Sequence, residues 1–84
     1  MDMRALVGQN VKRLRLAQNL TQERFAELSG LSQQYVSDLE RGRRNPTVVT
    51  LFELATALGV RPADLLGEVV VVLDSLAGSA KSVV

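Results

Sequence analysis

Neither cysteine nor histidine occurs among the 84 residues of this chain. No disulfide can form and the usual zinc sites have no ligands, so packing alone, or packing aided by a second copy, must hold so small a domain together. The same absence removes the commonest nucleophile, base and metal ligand, and the carboxylates are mostly spread over helix surfaces, which points away from catalysis and from any cofactor or metal. The longest unbroken apolar run, Val69 to Leu73, is far short of the ~20 residues that span a bilayer. Arg4 is followed only by Ala5-Leu6-Val7 before polar residues resume, so no signal peptide is expected and the cytoplasm is the default location. Net charge is nearly absent as well, with 10 Lys+Arg against 9 Asp+Glu. What is present is a hydrophobic fraction of 46%, too high for disorder, in a length that allows one domain and not two.

The charges are unevenly placed. Residues 1 to 44 carry eight cations and five anions, whereas residues 45 to 84 carry Arg61 and Lys81 against Glu53, Asp64, Glu68 and Asp74. The first half can therefore face a polyanion while the second faces away from it or meets protein. Apolar spacing in the first half is helical. Leu6, Val7, Val11, Leu14 and Ala17 predict a first helix over about Arg4 to Gln18, left through Asn19, which tolerates left-handed geometry. Thr21 caps a second helix, about Gln22 to Ser29, with Phe25, Ala26 and Leu28 turned inward and Gly30 at its exit. Ser32 caps a third, about Gln33 to Arg41, with Val36 and Leu39 on its buried side and Gly42 at its end. Arg43-Arg44-Asn45-Pro46 forms a basic loop broken by proline. Thr47 or Thr50 caps a fourth helix, whose stripe is Leu51, Leu54, Ala55 and Leu58, stopped by Gly59. Pro62 starts a short fifth helix to Leu66, closed by Gly67. The expectation is an all-α domain of five helices over residues 1 to 67.

Residues 68 to 84 read differently. Four valines and Leu73 lean toward strand, while Asp74 to Ala77 could equally continue a helix. This segment either packs on its own domain or frays, or else presents an apolar surface completed by another chain.

Two short helices joined through Ser29-Gly30-Leu31-Ser32 have the size and turn chemistry of a helix-turn-helix. With Leu20-Thr21-Gln22-Glu23, Phe25-Ala26, Val36-Ser37, Leu39-Glu40-Arg41-Gly42, Arg43-Arg44-Asn45-Pro46, Leu54-Ala55 and Ala57-Leu58-Gly59-Val60, residues 8 to 66 resemble the phage repressor and Cro-type (Xre) helix-turn-helix family. The resemblance implies a lambda-repressor-like fold in which the third helix enters the DNA major groove. It gives the base-contact role to Gln33, Gln34, Ser37 and Asp38, and the chemistry agrees for the two glutamines, whose amides can make paired hydrogen bonds to adenine. Asp38 is the awkward member, since a carboxylate near phosphates must accept from cytosine N4, act against wrong bases or pair with an arginine. Gln22 resembles the family's phosphate-clamping glutamine, at a helix end whose free N–H groups favour an anion. Arg41, Arg43 and Arg44 with Asn45 would grip the backbone beyond the groove, and Tyr35 flanks them, either on a phosphate or in the core. Arg15 and Glu40 lie among apolar neighbours, and the resemblance implies an internal salt bridge between them.

The function expected is a DNA-binding transcriptional regulator. It would bind a pseudo-palindromic operator as a homodimer, because one short helix covers only a half-site. The competing expectation is an antitoxin or protein-interaction module whose Val-rich tail binds a different protein.

Overall fold

A computed structural model describes residues 2–68 of the chain, and the tail beyond Glu68 lies outside the described residues. Four α-helices occur in order: α1 Met3–Ala17, α2 Gln22–Ser29, α3 Gln33–Glu40 and α4 Val48–Leu58. A 3-10 turn, Pro62–Leu65, follows them, and no strand occurs among the described residues. Every α-helix starts on a side chain that accepts the otherwise unpaired N–H groups of the first turn. Asp2 takes the amides of Arg4 and Ala5, Thr21 that of Arg24, Ser32 that of Tyr35 and Thr47 that of Thr50, at 3.0–3.3 Å. Thr47, and not Thr50, is thus the cap of α4.

The exits are equally local. Asn19 takes a φ of 58°, and Gly30, at φ 78°, makes the left-handed turn that redirects the chain from α2 into α3. Residues Gln18 and Arg41, expected inside helices, are instead their last half-turned residues: the Arg41 amide bonds three back to Asp38 as the backbone leaves helical geometry.

The predicted fifth helix is a single 3-10 turn instead. Its bonds run three residues back, Asp64 N–H to Arg61 O and Leu66 N–H to Ala63 O. The Asp64 carboxylate accepts from the Arg61 amide at 2.9 Å, tightening the entry. At the other end the side chain of Asn10 donates to the carbonyls of Leu65 and Gly67 at 2.8 and 2.9 Å, pinning the chain just past the turn to α1. Leu66 falls outside the turn and is exposed.

The core gathers one patch from each element: Val7 and Val11 of α1, Phe25 and Ala26 of α2, Val36 and Leu39 of α3, Leu54, Ala55 and Leu58 of α4, and Leu65. Two residues expected inside are not. Leu28 and Ala17 are exposed; both lie in the last turn of their helices, outside the buried cluster. Gly8 has the reverse position. A Cβ there would run into the carbonyl oxygen of Leu39, so only glycine lets the backbones of α1 and α3 approach as closely as they do.

Candidate nucleic-acid interface

With α1 and the core behind it, α3 presents its other side to solvent. Gln33 and Gln34 are exposed in its first turn, and Ser37 and Asp38 stand partly exposed one turn later. The four sequence-predicted base-reading residues therefore share one face, at the spacing of one helical turn. Arg41, Arg43, Arg44 and Asn45 follow in exposed positions immediately beyond the helix. Backbone bonds fix the first two arginines, since the Asp38 carbonyl accepts the amides of both Arg41 and Arg43, at 3.1 and 2.9 Å. A strip of amide and hydroxyl groups thus runs into a cluster of cations, the arrangement that suits base edges flanked by phosphates.

Behind this strip lies a charged cluster. The Arg15 guanidinium donates through Nε to Glu40 at 2.6 Å and through Nη2 at 3.0 Å, and its third nitrogen donates to the Leu20 carbonyl at 2.7 Å. Both side chains are less than a tenth exposed. Gln22 joins them, donating from its Nε2 to the same carboxylate at 3.0 Å. A carboxylate only accepts, so Glu40 fixes which end of the Gln22 amide faces inward, and the amide keeps one N–H and its oxygen for the outside. The pair predicted from the resemblance is in place, and its link to Gln22 was not visible in the sequence.

Asp38 is held by protein donors on both oxygens. Gln34 Nε2 donates to one at 3.0 Å and Arg44 donates to the other at 3.4 Å. The Arg44 guanidinium in turn lies over the Tyr35 ring, 5.0 Å from its centroid, in cation–π geometry. Tyr35 is neither wholly core nor wholly surface. Burial raises the pKa of its hydroxyl, with the nearby Glu53 carboxylate acting in the same direction and the charge of Arg44 opposing both. Gln34, Tyr35, Asp38 and Arg44 thus form one connected group, which Gln33 and Ser37 adjoin and do not enter.

Asn10 and Gly8 are the residues the sequence reading missed, and both are structural. A signal for Asn10 existed: it lies three residues after Val7 and four before Leu14, a polar side chain on the apolar stripe of α1, and such a group needs buried partners.

No helix among the described residues is long and apolar enough to cross a membrane. A family model described as Helix-turn-helix, HTH_3, matches residues 11–65. An uncharacterised HTH-type transcriptional regulator of Sinorhizobium fredii is 65% identical over 65 residues, 77% of this chain and 84% of that protein. The immunity repressor protein of Bacillus phage phi105 is 44% identical over 62 residues, which cover 74% of this chain and 43% of the repressor. Among solved structures, the restriction-modification controller protein C.AhdI from Aeromonas hydrophila superposes with a TM-score of 0.72 at 45% identity, covering 74% of this chain and 94% of that one.

Proposed function

This chain belongs to the HTH_3 helix-turn-helix family of phage repressor and Cro-type (Xre) transcriptional regulators, and from that premise we propose that it binds a pseudo-palindromic operator as a homodimer, with α3 in the major groove. The observation that carries the reading is the exposed face of α3, where amide side chains lead into a cluster of arginines, two of them anchored through their amides to the Asp38 carbonyl. Gln33, Gln34 and Ser37 read base edges, since an amide pairs well with adenine and a hydroxyl with either partner. Arg41, Arg43, Arg44, Asn45 and Tyr35 contact phosphates. So does Gln22, through the N–H that Glu40 leaves outward. Residues 1 to 67 make up the DNA-binding domain, and 68 to 84 serve as a dimerisation segment. Two copies place their α3 helices about one turn of DNA apart, roughly 34 Å, so that both half-sites are read at once.

Selection of bound duplexes from a random pool by the full 84-residue chain tests this. An inverted repeat should be enriched, with affinity that falls steeply with salt because each neutralised phosphate contributes a slope of about −0.9. No enriched sequence, or an affinity unchanged between low and moderate salt, would rule the reading out.

A further inference from the structure

The Gln34 amide is anchored before any DNA arrives. Its Nε2 donates to Asp38 at 3.0 Å. Asp38 is kept in place by Arg44 at 3.4 Å, and Arg44 rests on the Tyr35 ring. Asp38 is the less exposed partner of that ion pair, with a side chain about 20% accessible against 46% for Arg44. A free glutamine amide can rotate by half a turn and exchange its donor and acceptor, and so suits more than one arrangement of base edges. Against a carboxylate it cannot, because an ionised carboxylate has no hydrogen to give and only the NH2 end can face it. The groups left for the groove are one N–H and the carbonyl oxygen. Adenine alone offers the matching pair on a single base in the major groove, an acceptor at N7 and a donor at N6. Guanine presents two acceptors, one of which would meet the Gln34 oxygen; thymine lacks the donor and cytosine the acceptor.

Resting on the DNA-binding reading above, we propose that Asp38 is a positioning residue for base recognition: braced by Arg44 and Tyr35, it locks the Gln34 amide in the orientation that reads adenine and touches no base itself. This also eases the difficulty of a carboxylate on a DNA-facing helix, since each of its oxygens already accepts one hydrogen bond from a protein donor.

The experiment compares the wild-type chain with Asp38→Ala, Gln34→Ala and the double variant, on the duplex enriched by the wild type, on its three single-base changes at each half-site position, and on a scrambled duplex. Binding is measured well below each variant's melting transition. The wild type should prefer adenine at one position by about tenfold, the scale of a bidentate amide contact. Asp38→Ala should reduce that preference to about threefold or less at the same position that Gln34→Ala affects, without weakening binding to the scrambled duplex. The double variant should discriminate no worse than Gln34→Ala alone, because Asp38 acts only through Gln34. A purely structural role would lower binding to every duplex and leave the preference intact. The proposal is overturned if the two single variants relax different base pairs, which would make Asp38 a base reader in its own right. It is overturned too if their effects on discrimination add, or if Asp38→Ala changes all duplexes by one factor. Should the wild type enrich no duplex, the DNA-binding reading fails and takes this proposal with it. An enriched duplex with any of the overturning results removes this proposal alone.

Discussion

Glu40 shows how much one side chain can hold. Its carboxylate accepts three hydrogen bonds, two from Arg15 on α1 and one from Gln22 on α2, while it is itself the last residue of α3. A buried ion pair contributes little beyond what apolar residues of the same volume would, but removing one partner strands the other charge. Glu40→Ala should therefore destabilise the fold by ~3–5 kcal/mol, the range for breaking a buried pair, and lower the melting temperature first. Thermal melts beside binding isotherms separate the two effects. Operator binding should return in conditions that restore folding, and a variant that melts like the parent yet fails to bind would move Glu40 from the interior to the interface.

Among the elements, α3 and the loop after it should divide the work of binding. Gln33→Ala or Gln34→Ala should cost ~1–3 kcal/mol on the operator and relax preference at one base pair, whereas Arg43→Ala should weaken all sequences nearly equally and reduce the salt slope by about one phosphate. Titrations on operator and random duplexes at several salt concentrations read both. The helices themselves were largely legible in the sequence because their signals are local. Thr21 and Ser32 cap the helices they immediately precede, and Gly30 turns the chain where α2 ends. What was not legible depends on residues far along the chain. The segment from Pro62 has a helix-starting proline, yet it makes a single 3-10 turn, after which Asn10, more than fifty residues earlier, ties the chain to α1 through the Leu65 and Gly67 carbonyls. Leu28 has the right spacing for the core and lies outside it, since spacing gives a face and not the reach of the neighbouring helices. For the proposed interface, the resemblance together with residue types pointed to Gln33, Gln34 and the arginines; the bonds of Gln22 to Glu40 and of Gln34 to Asp38 needed three-dimensional placement.

At the scale of the whole molecule, the homodimer proposed above needs a surface on which a second copy can pack. The four valines and Leu73 are an apolar segment following a domain whose helices already share one core. Removal of residues 68 to 84 should leave a folded, mainly monomeric domain with much weaker operator binding, as light scattering and titration of the truncated chain would show. A competing surface exists on the domain itself, where Val48, Val49 and Phe52 of α4 are exposed. A truncated chain that stays dimeric with unchanged affinity would place the interface there, together with Leu51, Val60 and Leu66, and reduce the tail to local packing.

The two hydrogen bonds from Asn10 join residues 55 and 57 positions apart, so they tie the end of the domain to its first helix. Closing so long a loop costs entropy that only a nearly complete structure repays, which makes this clasp a late event in folding. Its loss should then appear in one rate and not the other. Asn10→Ala, which leaves two carbonyls unpaired at a cost of ~1–3 kcal/mol, should unfold about tenfold faster or more while refolding within about a factor of two of the parent. Because the chain has no tryptophan, stopped-flow circular dichroism is the suitable probe. A change confined to unfolding would make the clasp a latch on the lifetime of the folded domain, setting how long α3 stays presented once formed and not how quickly it forms.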